Sequence, residues 1–127
     1  MKNELVKRAF SAMQNAYAPY SQFAVGASLL CRNGKIYDGC NVENTSFGAT
    51  ICAERSAFSS AVSNGEREFD AIAIVSKNKN FCPPCGICRQ FMTEFCDKDF
   101  KIYLSNGTDI REYTFGELMP LSFNMEV

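Results

Sequence analysis

Between residues 2 and 17, Leu5, Val6, Ala9, Phe10, Met13, Ala16 and Tyr17 fall on one face of a helical period, and Pro19 stops the run. That spacing predicts an amphipathic helix. The pattern then changes: "AVGASLLC" at 24–31 and "KIYDGCNV" at 35–42 flank Asn33-Gly34, a dipeptide that favours a tight hairpin turn. "ENTSFGA" at 43–49 has no period and reads as a loop. Helical spacing returns over 51–64, with Thr50 placed to cap its start and Gly65 to end it. "FDAIAIVS" at 69–76 is a continuous apolar, β-branched run, the signature of a buried strand. A further helix is expected from near Cys85 to about Cys96, then a strand at 100–105 ended by Asn106-Gly107. Thr114 and Glu117 have capping-box spacing on a short last turn before Pro120.

The order is therefore helix, hairpin, helix, strand, helix, strand. A strand–helix–strand unit after a hairpin implies a mixed sheet with helices on both faces, so the fold class is α/β. No repeat, low-complexity tract or linker interrupts the chain, and residues 1–127 read as a single domain.

Composition narrows the chemistry. Apolar residues at 46% and charged residues at 21% are ordinary globular usage and argue against disorder. A net charge of -1 and a pI near 5.4 give no footprint for gripping a nucleic-acid backbone. No apolar run is long enough to cross a membrane, and "MKNELVKRAF" lacks a signal-peptide core. These features predict a soluble cytoplasmic protein without nucleic-acid or membrane partners. Seven cysteines make an odd count with no secretion signal, which favours thiol or metal chemistry over a disulfide framework. Histidine is absent, so no Ser-His-Asp triad, Cys-His pair or histidine metal ligand exists within the chain. Any metal must be held by Cys, Asp or Glu.

"FCPPCGICRQF" at 81–91 offers two overlapping C-x-x-C pairs. Pro83 and Pro84 extend the chain after Cys82, separating the Cα atoms of Cys82 and Cys85 by roughly 9–10 Å. A helix beginning near Gly86 instead puts Cys85 and Cys88 in its first turn, where the helix dipole favours thiolates. Cys85 and Cys88 are the better pair. A thioredoxin-like redox motif would have no use for a third cysteine or an acidic partner, and "TICAER" at 50–55 supplies both at another helix start. Cys52, Cys85 and Cys88 make three protein ligands, which leaves a fourth zinc position for water, the catalytic pattern. Glu54, two residues beyond Cys52, is then near the metal without binding it, as a general acid/base must be. Cys31, Cys40 and Cys96 sit in strand and helix patterns as small buried hydrophobes, and Cys82 is read as structural.

"CAE" followed by "PCGICRQ" resembles the zinc-dependent cytidine deaminase family. The similarity continues through "YSQFAVGASLL" (20–30), "GCNVENTSFGATICAERSAF" (39–58) and the tail "FGELMPLSF" (115–123). Having Cys52 where related deaminases use histidine resembles the small homotetrameric subfamily. The resemblance implies a three-layer αβα sandwich around a mixed, mostly five-stranded sheet, with one zinc ion per subunit. It implies hydrolytic deamination of cytidine and 2'-deoxycytidine in pyrimidine salvage, with Glu54 shuttling protons from zinc-bound water to the base. Phe23, Asn41, Glu43 and Ala53 match positions that bind nucleoside, and Arg55 matches the arginine that hydrogen-bonds the ligand sulfurs. Phe47 and Phe123 match positions that reach a neighbouring subunit's pocket. Three thiolates outweigh the zinc charge, so compensation by the two helix N-termini and by Arg55 is expected. Arg89 fits either a further compensating charge or an exposed helix cation. Gln22, Ala24, Thr45 and Phe47 depart from the usual pattern and bear on substrate preference. A structural zinc module lacks a fourth ligand here. An antibiotic-nucleoside deaminase is disfavoured by the intact "NVEN", and a polynucleotide editor by the acidic pI.

Overall fold

The computed structural model describes residues 1–125. Its elements in chain order are α1 (Lys2–Met13), β1 (Val25–Cys31), β2 (Ile36–Cys40), a single 3-10 turn (Phe47–Ala49), α2 (Ala53–Ser63) and β3 (Phe69–Ser76), then α3 (Gly86–Thr93), β4 (Lys101–Ser105), β5 (Ile110–Thr114) and α4 (Phe115–Leu118). The strands form one five-stranded sheet in the order β2-β1-β3-β4-β5. The β3–β4 pair is parallel and the other three pairs are antiparallel, so the sheet is mixed as expected.

Alternation along β3 shows why its sequence is apolar throughout. Ile72 and Ile74 point into a core shared with α2 and α3, while Ala71, Ala73 and Val75 pack against Leu5, Val6 and Ala9 of α1. A strand covered on both faces has no polar side to present. The larger core is rich in phenylalanine. Phe58 of α2 is fully buried and has ring centroids of Phe69, Phe91, Phe95 and Phe100 within 5.1–6.2 Å. Burying one such ring stabilises by about 1.5–3 kcal/mol, and this cluster fixes α2 against α3.

Two glycines set how closely the helices approach the sheet. A Cβ on Gly26 would lie 2.0 Å from the carbonyl oxygen of Ala9, and one on Gly39 would lie 2.5 Å from that of Ala53. α1 thus presses on β1 from one side and α2 presses on β2 from the other. The second contact brings the start of α2 over the end of the hairpin. Asn33-Gly34 makes the hairpin turn, with Gly34 at φ +91°.

Several boundaries differ from expectation. α1 stops at Met13, and Tyr17 pairs instead with Val42 in an isolated bridge. α2 begins at Ala53 with Cys52 as its cap, because Ile51 is drawn into backbone pairing with Val42. Thr50 accepts the Asn44 amide through its hydroxyl and ends the 3-10 turn rather than capping α2. α3 ends at Thr93, short of Cys96. The strand β5 was foreseen only through the resemblance: "IREYT" alternates weakly because it is a sheet edge, with Arg111 and Glu112 exposed. The Thr114–Glu117 capping box forms as read, with reciprocal bonds of 3.3 and 2.9 Å.

Candidate active site

Two helix N-termini converge at one end of the larger core. Cys52 is the extended residue before α2, and Cys85 is the extended residue before α3. Cys88 follows in the first turn of α3 and is buried. The Sγ atoms of Cys52 and Cys85 are 3.7 Å apart, those of Cys85 and Cys88 are 3.4 Å apart, and all three lie within 4.8 Å of one another. A tetrahedral zinc with Zn–S bonds of about 2.3 Å separates its sulfurs by about 3.8 Å. Three soft donors at that spacing, with no fourth from the chain among the described residues, fit a zinc ion with one open position.

The surroundings favour negative charge on the sulfurs. Cys52 is made more acidic, first by the hydrogen bond from Cys88 and further by Arg55. The Cys88 thiol is pushed the other way by the same bond and by burial. Arg55 Nη2 donates to Cys52 Sγ at 3.5 Å and to the Thr50 carbonyl at 3.2 Å. Its buried Nε has no hydrogen-bond partner among the described residues.

Glu54 is 4% exposed, and that burial lifts its carboxyl to about 7. It stands beside the sulfur triangle without joining it. Glu54, Cys52 and Cys85 line a cavity of about 240 Å³ together with Ser21, Phe23, Asn41 and Glu43. Ala53, Thr50, Val25, Cys82 and Pro83 complete its wall. A larger groove of about 550 Å³ opens beyond Arg55, along Ile87, Phe91 and Phe95, and contains none of the three cysteines. Its position excludes it from the chemistry.

Asn41 and Glu43 are already hydrogen-bonded within the chain. Asn41 Oδ1 accepts from the Val25 amide at 2.9 Å and its Nδ2 donates to the Phe23 carbonyl at 2.8 Å. Glu43 Oε1 accepts from the amides of Tyr20 and Ser21 at 3.0 Å each, and Oε2 accepts from the Ser21 hydroxyl. Those bonds, led by Ser21, hold the carboxyl below its usual range and therefore ionised. Both side chains buttress the 20–25 segment while lining the cavity. Each retains hydrogen-bonding capacity, since a carboxylate offers about four acceptor sites and an amide two donors.

Phe23 and Ala53 line the cavity. Phe47 and Phe123, matched to positions that reach a neighbouring subunit's pocket, lie outside its lining and are 75% and 70% exposed, with Phe47 flanked by the Tyr20 ring at 6.2 Å. Ser21 was missed as a site residue, although its place between Tyr20 and Phe23 was the available signal. Cys82 faces the cavity, where burial raises its thiol to about 11 and keeps it neutral. Arg89 is not an exposed helix cation. It is half-buried and bonds the carbonyls of Pro84 and Leu118, with no bond to a sulfur.

The family profile described as "Cytidine and deoxycytidylate deaminase zinc-binding region" matches residues 1–104. A cytidine deaminase of Halalkalibacterium halodurans is 50% identical over 96% of this chain and 93% of its own length. One of Sporosarcina psychrophila is 46% identical over 97% of this chain and 91% of its own. The crystal structure of cytidine deaminase from Burkholderia pseudomallei superposes with a TM-score of 0.92 at 43% identity, covering 97% of this chain and 99% of that one. The α/β sandwich, the three-cysteine cluster and these similarities agree: the chain belongs to the zinc-binding cytidine and deoxycytidylate deaminase family of enzymes.

Proposed function

We propose that this chain deaminates cytidine and 2'-deoxycytidine by hydrolysis, giving uridine or 2'-deoxyuridine and ammonia, as a soluble cytoplasmic enzyme of pyrimidine salvage. The observation that carries this reading is the buried Glu54 carboxyl beside three sulfurs, in the wall of a cavity that Asn41 and Glu43 also line. Zinc bound to Cys52, Cys85 and Cys88 would supply a Lewis acid that makes water nucleophilic at neutral pH.

The chain's own residues do the rest. Glu54 accepts a proton from the attacking water as oxygen adds to C4 of the base, and delivers a proton to N3. From the same position it takes the remaining proton from the hydroxyl now on C4 and passes it to the exocyclic nitrogen, so that C–N cleavage releases ammonia and C4 is left as a carbonyl. The low exposure of Glu54 excludes bulk water from this transfer. Asn41 and Glu43, ordered by the 20–25 backbone, receive the sugar hydroxyls. Phe23 packs on the nucleoside, and Ala53 lies against the base. Arg55 and two helix N-termini offset the charge of three thiolates, preserving the electrophilicity on which water activation depends.

Completion of each pocket by a neighbouring subunit in a homotetramer is part of the proposal. In support, the cavity of about 240 Å³ is below the range of about 300–1,000 Å³ usual for small-molecule sites. Phe47 and Phe123 stand exposed where a symmetric neighbour could use them. Ammonia release from cytidine, deoxycytidine and blasticidin S tests the substrate assignment. Turnover of both nucleosides is expected, and turnover of blasticidin S alone would overturn it.

A further inference from the structure

Arg89 lies one turn into α3, yet its side chain reaches away from the helix. Nε donates to the Pro84 carbonyl and Nη1 to the Leu118 carbonyl, both at 2.8 Å. Pro84 immediately precedes Cys85, in a stretch from 81 to 85 with no regular secondary structure. No backbone ladder fixes that stretch. Its first residue is held by the Arg111 guanidinium, 3.9 Å from the Phe81 ring centroid, and Pro84, the residue before Cys85, is held by the Arg89 side chain.

Leu118, by contrast, closes a well-anchored turn. α4 is started by the Thr114–Glu117 capping box and tied down by the Phe115 amide on the Phe100 carbonyl and the Gly116 amide on the Lys98 carbonyl, at 2.8 and 3.0 Å. Arg89 therefore spans from a fixed point to the irregular segment that carries a sulfur. A planar guanidinium can donate to two carbonyls at once in a fixed geometry, whereas an ammonium acts as a single point.

We propose that Arg89 is a positioning residue for the zinc site: by tying the Pro84 carbonyl to the Leu118 carbonyl, it holds Cys85 where its sulfur meets those of Cys52 and Cys88. This rests on the reading of those three cysteines as zinc ligands. Arg55 touches a sulfur directly; Arg89 acts only through the backbone that delivers one.

Competition for zinc between the purified chain and a chromogenic chelator tests this. Arg89→Ala is expected to weaken zinc affinity on the order of tenfold, the scale set by groups that orient metal ligands. Millimolar guanidinium ion should restore part of that loss. Thr93→Ala serves as the control, since the Thr93 hydroxyl donates to the Arg89 carbonyl within α3 and, among the described residues, hydrogen-bonds neither Pro84 nor Leu118; it should hold zinc like the unaltered chain. Unchanged affinity in Arg89→Ala overturns the proposal. So does a loss that guanidinium leaves untouched and Thr93→Ala matches, because that marks general loosening of α3. If Arg89→Ala fails to fold, Arg89→Lys carries the test: intermediate affinity is expected, and affinity equal to the unaltered chain overturns the two-carbonyl tie. An unaltered chain that binds no zinc would instead refute the ligand assignment itself.

Discussion

Replacing Glu54 by glutamine keeps the shape of the side chain and removes its capacity to carry a proton. Turnover should fall by about 10²–10⁴-fold, the range for a positioned acid/base, while zinc content stays at one per chain. Ammonia release and metal analysis read the two quantities separately, and loss of zinc in Glu54→Gln would make the residue a ligand. Cys85→Ala should lose the metal, because two thiolates and waters bind zinc far more weakly than three. Cys82→Ala should retain it, since the Cys82 thiol lies in the cavity wall outside the sulfur triangle. Full zinc in Cys85→Ala contradicts the assignment. At this scale the chemistry was legible: C-x-x-C at a helix start and a third cysteine before another helix are local patterns. The bonds of Asn41 to Phe23 and Val25, and of Arg89 to Leu118, were not. Their partners are backbone atoms of distant segments, which no side-chain pattern announces.

At the level of elements, the site depends on how closely α2 sits on the hairpin. Gly39→Ala would place a methyl 2.5 Å from both the Ala53 carbonyl and the Ala57 amide, so α2 must move. The expected cost is roughly 1–3 kcal/mol, with turnover reduced as well, because Cys52 and Glu54 ride on the start of that helix. Thermal unfolding and activity check both, and an unaltered melting temperature would show that the contact yields freely. Apolar periodicity placed α1, the hairpin, α2, β3, α3 and β4 along the chain. Their ends shifted where backbone pairing outside the regular elements competed with helix, as at Ile51 with Val42. β5 escaped the pattern because an edge strand needs only one covered side and one paired neighbour, and its exposed Arg111 and Glu112 dilute the signal.

For the whole molecule, exposed Phe47 and Phe123 suit a pocket finished in trans. Sedimentation should give a tetramer at working concentration, and Phe123→Ala should raise KM for cytidine more than it lowers stability. A fully active monomer would contradict shared pockets. The sheet, the helix pair and the three-sulfur cluster nevertheless belong to one chain, so the chemistry itself stands or falls with the metal. The most direct test is cytidine deamination by the purified chain before zinc removal, after removal by a chelator, and after zinc is returned. Activity should vanish with the metal and come back with one equivalent per chain. Deamination that persists in zinc-free protein, or is absent from fully loaded protein, would contradict a hydrolysis built on Cys52, Cys85, Cys88 and Glu54.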